Sequence, residues 1–90
     1  MLNVVLSNQF KKDLKLMNKR GANLELLDDV VNKLANLEKL DEKLCDHALT
    51  GNLSGFRECH IKPDWLLVYR INNKELLLLL SRTGTHGDLF

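Results

Sequence analysis

The sequence predicts one α+β domain over residues 1–90, with a strand and two helices followed by three strands. In the first half, apolar residues recur at helical spacing, whereas in the second half they alternate or form short continuous runs. Polar turn dipeptides separate these later runs. A chain of 90 residues with 44% hydrophobic residues is sufficient for one small core. We therefore expect the order β-α-α-β-β-β, with an N-terminal strand and a helical hairpin packed on a mainly antiparallel sheet.

The first half of the chain contains the strand and both helices. Residues 3–6 are short, apolar and β-branched, and Ser7 after them is a good helix N-cap. The spacing of apolar residues predicts a first helix over about 8–20, ended by Lys19-Arg20-Gly21, which puts cations at the helix C-terminus and glycine beyond it. Asn23 can cap a second helix that runs to about Leu40. The apolar positions are Phe10, Leu14 and Met17 in the first helix and Leu24, Leu27, Val31 and Leu34 in the second.

The second half has the composition of a connecting loop and three strands. Residues 41–54 are polar and contain glycine, which is typical of a loop. Strands are predicted at 56–61, 65–71 and 75–81, joined by turns at Lys62-Pro63 and Asn72-Asn73. The last strand is nearly all leucine, as expected for a strand that is covered on both faces.

Composition and charge exclude several classes of protein. No segment is as long and apolar as a membrane span, and the first residues do not resemble a signal peptide, so we expect a cytoplasmic protein. Cys45 and Cys59 should then be free thiols. The net charge is only +1, although residues 1–20 carry five positive charges and one negative charge. An avid nonspecific RNA binder would be more basic, so charge alone does not indicate RNA.

Hairpin pairing is expected to bring several polar side chains to one end of the sheet. If Lys62-Pro63 is a two-residue turn, His60 lies opposite Trp65. If Asn72-Asn73 is also a two-residue turn, Ile71 faces Lys74, and Arg82 comes level with Pro63, beside Asp64. The tail that contains His86 leaves from the same end. His60, Asp64, Arg82 and His86 should therefore form a cluster.

Such a cluster suits RNA cleavage by the ribose 2′-hydroxyl. One group must remove the 2′ proton, another must protonate the departing 5′ oxygen, and a cation must stabilise the phosphorane. Histidine can serve as acid or base near neutral pH, and arginine suits the phosphate. The alternative is a merely polar sheet edge. A metal site is not expected, because Cys45-x-His47 and Cys59-His60 do not have the usual zinc spacing and adjacent strand residues point to opposite faces. For Arg57 and Glu58, an ordinary strand charge pair is favoured over a role in catalysis.

The C-terminal half resembles the YafQ branch of the RelE toxin superfamily. The resemblance is carried by the run from Gly55 to Tyr69, by Arg82-Thr83-Gly84-Thr85-His86 and by Asp88-Leu89-Phe90. An upstream motif, His47-Ala48-Leu49-Thr50-Gly51, is also similar. Residues 1–46 resemble the family only in length and helical pattern.

The resemblance implies a RelE-like fold and an endoribonuclease that cleaves messenger RNA in the ribosomal A site. Because the expected nucleophile is the ribose hydroxyl and no metal site is expected, we expect cleavage without a metal ion or cofactor. It further implies neutralisation by a DinJ- or RelB-like antitoxin, with DNA reached only through that antitoxin. Catalytic roles are implied for His47, His60, Asp64, Arg82 and His86. Within this set we expect Asp64 and His86 to act as base and acid. His60 and His47 would support the phosphate or exchange a proton, and Arg82 would hold the phosphate. The alternatives are a non-catalytic module that binds the antitoxin and tunes its DNA binding, and a ribosome-independent RNase.

Residues expected to contact RNA lie at the chain end, in the sheet and on the first helix. Phe90 could stack on a base or brace His86, or it could instead cover the sheet edge. Trp65 could contact RNA, although core packing is favoured because it begins an alternating apolar face. The lysines of the first helix could contact ribosomal RNA or form a solvated face; the candidates are Lys11, Lys12 and Lys15.

Overall fold

The computed structural model describes residues 1–90 and contains one five-stranded sheet with two helices and a short C-terminal helix. The strand order is β1-β5-β4-β3-β2, in which β1 runs parallel to β5 and all other neighbours are antiparallel. The predicted α+β fold is confirmed, and β2 and α3 are added to it. The elements are β1 (Asn3–Leu6), α1 (Asn8–Lys19), α2 (Leu24–Ala35), β2 (His47–Ala48), β3 (Arg57–Lys62), β4 (Trp65–Asn72), β5 (Leu77–Gly84) and α3 (His86–Leu89).

The hydrophobic core lies between the helices and one face of the sheet. The helices contribute buried residues at helical spacing, and the strands contribute every second residue. The connection between α2 and β2 adds Leu40, which is also buried. The principal core residues are Phe10 and Met17 from α1, Leu27, Val30 and Leu34 from α2, and Cys59, Ile61, Trp65, Leu67, Tyr69, Leu78 and Leu80 from the strands.

Both long helices begin at the predicted caps, but α2 ends earlier than predicted. The Ser7 side chain accepts a hydrogen bond from the Phe10 backbone N–H at 2.9 Å, as an N-cap does. The prediction that α2 continues to about Leu40 is wrong, because Leu37 adopts a left-handed conformation with φ 59°. The N–H groups of Leu37 and Glu38 then bond the last helical carbonyls, those of Leu34 and Lys33, and end the helix.

The hairpin registers differ from the predicted ones. Ile71 lies opposite Leu78 rather than Lys74, because a four-residue turn replaces the expected dipeptide turn. Arg82 consequently lies opposite Val68 and not level with Pro63. A bulge between His60 and Lys62 places His60 opposite Leu66 instead of Trp65.

The remaining expectations concern membranes and cysteines. None of the helices combines the length and apolar character that crossing a membrane requires. Cys45 and Cys59 are both free thiols, as predicted. Cys45 is exposed, whereas burial raises the pKa of the Cys59 thiol to about 12, so that Cys59 is a core residue and not a nucleophile.

Candidate active site

The sheet face that points away from the core carries a polar surface, which we call the open face. Residues directly opposite each other on neighbouring strands share a face, so the register identifies two rows on this side. One row runs His47, Glu58, Val68 and Arg82 across β2, β3, β4 and β5. The next row runs His60, Leu66 and Gly84. Leu66 and Val68 are buried although they lie outside the core cluster, and they form an apolar floor under the polar side chains.

Asp64 and His86 form a hydrogen-bonded pair beside this face. Asp64 Oδ1 accepts hydrogen bonds from the His86 backbone N–H at 3.2 Å and lies 3.0 Å from His86 Nδ1. The side-chain and backbone hydrogen bonds from His86 lower the pKa of the Asp64 carboxyl, which is therefore ionised at neutral pH. Because an ionised carboxylate can only accept, Nδ1 carries the proton in this contact. The Nε2 atom of His86 is then the end that can exchange a proton with a ligand.

His60 lies next to His86 and is held from two sides. The centroids of the two imidazole rings are 5.7 Å apart. His60 Nδ1 lies 3.3 Å from the Pro63 carbonyl oxygen, and Nε2 lies 3.7 Å from Glu58 Oε1. Glu58 is a buried acid on the open face, and the sequence analysis did not assign it to the site. Its interpretation as the partner of Arg57 is wrong, because Arg57 lies on the opposite face and pairs with Asp46.

Arg82 is held by Asp13 at the edge of β5. Since β1 ends opposite Leu80, the last residues of β5 have no strand beside them on that side, and α1 lies there instead. Arg82 donates from Nε and Nη2 to Asp13 at 2.8 and 3.1 Å, and the Thr83 N–H donates to the same carboxylate at 3.2 Å. The other terminal nitrogen of Arg82, Nη1, has no partner in the chain and is available to a phosphate.

Asp13 was missed by the sequence analysis although a signal was present. It is buried, and it lies three residues after Phe10 and four before Met17, on the apolar face of α1. A charged residue at such a position needs a partner, but the sequence does not identify which cation supplies it. Burial opposes ionisation of Asp13, yet the hydrogen bonds from Arg82, Gln9 and Thr83 together lower its pKa.

The other predicted site residues are more dispersed. His47 is exposed on β2, with Nδ1 2.7 Å from the Cys45 carbonyl oxygen, so the loop predicted there contains a strand that brings His47 to the open face. Trp65 is removed from the candidate RNA contacts, because its indole is 4% exposed and its N–H donates to Thr83 Oγ1 at 2.9 Å. Phe90 is 62% exposed. The lysines Lys11, Lys12 and Lys15 are all exposed on α1.

The site also contains three side chains that could hold a metal ion. Glu58, His60 and His86 each offer one ligand atom, and these atoms lie within 4.8 Å of one another. This group is not evident from the sequence, because two of its members lie on β3 and the third comes from the tail. Imidazole and carboxylate ligands would suit Zn²⁺ or Cu²⁺. The group contains His86, which is expected to act as the acid, and the neighbouring His60.

Comparison with known proteins identifies the family. Residues 2–90 match the family described as the bacterial toxin of type II toxin–antitoxin systems, YafQ. The chain belongs to the YafQ family. The mRNA interferase toxin YafQ of Escherichia coli K12 is 40% identical over 85 residues, which cover 93% of this chain and 90% of that protein. This YafQ-family chain therefore spans nearly the whole length of its curated relative.

Solved structures of similar proteins support the same assignment. A metal-bound toxin from Helicobacter pylori is 50% identical and superposes with a TM-score of 0.94 over 100% of both chains. The YafQ chain in the DinJ–YafQ toxin–antitoxin complex of E. coli is 37% identical, with a TM-score of 0.89 over 99% of this chain and 97% of that one. The fold of this YafQ-family toxin is thus the fold of its structurally known relatives.

Proposed function

We propose that this chain is a ribosome-dependent endoribonuclease that cleaves messenger RNA in the A site without a metal ion. The proposal depends chiefly on one observation, the Asp64–His86 pair beside His60 on the open face of a YafQ-family chain. The E. coli relative is named an mRNA interferase, which supports the substrate class. His60 lies on β3, Asp64 in the turn that follows it and His86 on the tail, where a ribose-phosphate backbone could reach them.

The geometry favours a division of roles that differs from the one expected from sequence. The lowered pKa of Asp64 makes it a weak base, and its contact with Nδ1 of His86 supports an orienting role. We assign proton exchange with the RNA to Nε2 of His86 and to His60, one acting on the 2′-hydroxyl and the other on the departing 5′ oxygen. Glu58 Oε1 lies 3.7 Å from Nε2 of His60 and would help to orient that ring. The free Nη1 of Arg82 would bind the phosphate, with His47 at the margin of the same face.

Metal independence follows from the chemistry that these residues must perform. The ribose 2′-hydroxyl supplies the nucleophile, so that no metal-activated water is required. A metal ion held by Glu58, His60 and His86 would occupy lone pairs that must exchange protons. On this proposal, Zn²⁺ or Cu²⁺ bound at these residues inhibits cleavage.

The proposed partner is an antitoxin of the DinJ or RelB kind. The E. coli relative has been solved in complex with DinJ, and this chain matches its toxin over nearly its whole length. Neutralisation would require the antitoxin to prevent access to the ribosome or to the open face. Contact with DNA would occur only through the antitoxin.

The test is a cleavage assay on programmed ribosomes, with the message ends mapped. Wild-type protein should produce 5′-hydroxyl ends and a 2′,3′-cyclic phosphate or its 3′-phosphate product. His86→Ala should lower the cleavage rate by roughly 10²- to 10⁴-fold, as expected for a positioned acid or base. Arg82→Ala should likewise lose cleavage activity and, when the protein is expressed in cells, should abolish toxicity. Lys74→Ala, an exposed residue of the turn between β4 and β5, is the matched control and should retain wild-type activity.

Further conditions separate the rival functions. A chelator that binds Zn²⁺ and Cu²⁺ but spares the Mg²⁺ of the ribosome should leave cleavage intact. Loss of cleavage in that chelator, or 3′-hydroxyl ends, would indicate a metal mechanism instead. Equal cleavage of naked RNA would indicate a ribosome-independent nuclease. Antitoxin binding without any cleavage would identify a non-catalytic binding module.

A further inference from the structure

The position of His86 depends on polar contacts, because the tail has little apolar anchorage. None of the four residues of α3 is buried. A helix of one turn is not stable on its own. Its place beside the open face must therefore be fixed by hydrogen bonds and ion pairs, and the structure shows where these converge.

The contacts converge on the carboxylate of Asp88. Asp88 Oδ2 accepts a hydrogen bond from the Thr85 backbone N–H at 2.9 Å, and Thr85 Oγ1 accepts one from the Asp88 N–H at 3.2 Å, which together form a capping box. The backbone of Gly84 comes so close that an added Cβ would lie 2.9 Å from Asp88 Oδ2. Asp88 thus fixes the turn from which His86 projects.

The same carboxylate is held from outside the tail by Arg20. Arg20 Nη1 donates to Asp88 Oδ2 at 2.6 Å and Nη2 donates to Oδ1 at 3.2 Å, a bidentate pair. Arg20 caps the C-terminus of α1, and its backbone N–H bonds the Leu16 carbonyl oxygen at 3.1 Å. The Arg20 guanidinium holds the pKa of Asp88 well below its usual range, so that the pair stays ionised at neutral pH. The Arg20–Asp88 clamp therefore joins the tail to the end of α1.

We propose that Arg20 and Asp88 are positioning residues that hold His86 in the geometry required for proton transfer. The proposal rests on the proposed function, since it assigns His86 to the cleavage step. Neither residue touches His86 itself through its side chain. They act through the capping box and Thr85, while Asp64 fixes the ring.

The obvious alternative is that Arg20 binds an RNA phosphate directly, as a basic residue at the end of a basic helix. The two roles predict different behaviour of Asp88. If Arg20 serves the clamp, removal of either charge should be equally harmful. If Arg20 serves RNA, neutralising Asp88 frees the guanidinium and should preserve or increase activity.

The experiment is a double-mutant cycle with Arg20→Ala, Asp88→Asn and the double variant in the ribosome cleavage assay. Asn keeps an oxygen that can accept from Thr85, so Asp88→Asn removes the ion pair while retaining the cap. Each single variant should lower kcat by about 10- to 100-fold with little change in KM, because misplacement of a catalytic group by about 1 Å has such an effect. The double variant should be no worse than either single variant. Arg20→Lys should restore part of the lost activity, and Lys33→Ala, which removes an exposed positive charge elsewhere, should act like wild type.

A measurement that does not need cleavage completes the test. The imidazole resonances of His86 in NMR spectra should shift in both clamp variants, while those of His47 should stay in place. The melting temperature should fall by at most roughly 5 °C, since exposed ion pairs contribute little to stability. Additive losses, an effect on KM alone or unchanged His86 resonances would overturn the clamp. If the wild-type chain does not cleave but the clamp variants still shift the His86 resonances, the proposed function fails and the structural role of the clamp remains.

Discussion

Asp13 connects α1 to the edge of β5 and is the buried charge on which Arg82 depends. Its carboxylate accepts from Arg82 and from the Thr83 backbone, so it fixes both the strand edge and the guanidinium. Arg82 is about one-third exposed, whereas the Asp13 side chain is only 8% exposed. If the pair is broken, solvent can replace the hydrogen bonds of Arg82 more readily than those of Asp13. The loss of free energy is therefore greater for the buried carboxylate than for the arginine.

We predict that Asp13→Asn lowers the free energy of unfolding at neutral pH by about 1.5–3 kcal/mol, the range for hydrogen bonds to a charged group. The folded pKa of Asp13 is lowered, so its charge stabilises the fold above the unfolded pKa of about 3.9, and this stabilisation is lost as the pH falls through the folded pKa. Denaturant unfolding of both proteins at neutral pH and near pH 3 measures the effect. The difference in the free energy of unfolding between the wild type and Asp13→Asn should be smaller near pH 3 than at neutral pH. An equal difference at both pH values would contradict a stabilising role for the Asp13 charge. Asp28→Asn, an exposed acid on α2, is the control.

At the scale of elements, periodicity and caps predicted the helices and long strands, but short elements escaped detection. The predictions of helix caps at Ser7 and Asn23 are confirmed, as is the prediction of a strand from Trp65 to Ile71. Each of these features depends on neighbouring residues alone. β2 has two residues and α3 has four, which is too short for any period to appear. β2 brings His47 to the open face, and the sequence could name His47 only by resemblance. α3 carries His86, which the hairpin pairing placed at the correct end of the sheet without revealing the helix.

The strand registers also could not be predicted, because the hydrophobic pattern shows neither the length of a turn nor the position of a bulge. The turn after Asn72 includes Leu76 with a φ of 55°, an unfavourable conformation for leucine that no composition rule would suggest. A further irregularity between Val68 and Tyr69 shifts the pairing again, so that no residue of β4 lies directly opposite Ser81. This irregularity places Arg82 on the open face with Glu58, because strict alternation from the core residues Leu78 and Leu80 would have turned its side chain toward the core.

Phe90 follows the short helix α3, and the exposure of its side chain leads to a prediction about the tail. A ring that is 62% exposed contributes little to the core, so Phe90→Ala should leave the melting temperature nearly unchanged. If the ring stacks on a base, cleavage should fall by roughly 10- to 100-fold, within the range expected for base–aromatic stacking. Thermal unfolding and ribosome cleavage on the same preparation separate the two roles. Full activity would exclude the RNA contact, and a large fall in melting temperature would show that Phe90 covers the sheet edge.

At the scale of the whole molecule, positive charge is concentrated on α1 while the net charge is only +1. Lys11, Lys12 and Lys15 are exposed, and none of them forms a salt bridge within the chain. Such lysines can bind ribosomal RNA without an overall basic surface, since the remaining acidic segments limit nonspecific binding.

We predict that replacing the three lysines with glutamine raises KM for programmed ribosomes and flattens its salt dependence, with kcat unchanged. The reason is that each phosphate contact releases counterions and contributes to the salt slope. Cleavage rates at several salt concentrations provide the measurement. A fall in kcat at unchanged KM would place these lysines at the reaction centre instead. A surface that binds only solvent would leave both constants as they are.

The parallel pairing of β1 with β5 has a consequence for how the toxin is made. β1 and α1 are synthesised first, yet their partners are β5 and Arg82, and Ser7 bonds a carbonyl 74 residues further along the chain. Such long-range pairing cannot form until β5 has left the ribosome, and it is a slow step in folding. Arg82 lies on β5, and His86 comes two residues after the end of that strand. A nascent chain still held by the ribosome therefore has neither its finished sheet nor its proposed catalytic groups, and a cell gains an interval in which newly made antitoxin can arrive before the toxin is able to act.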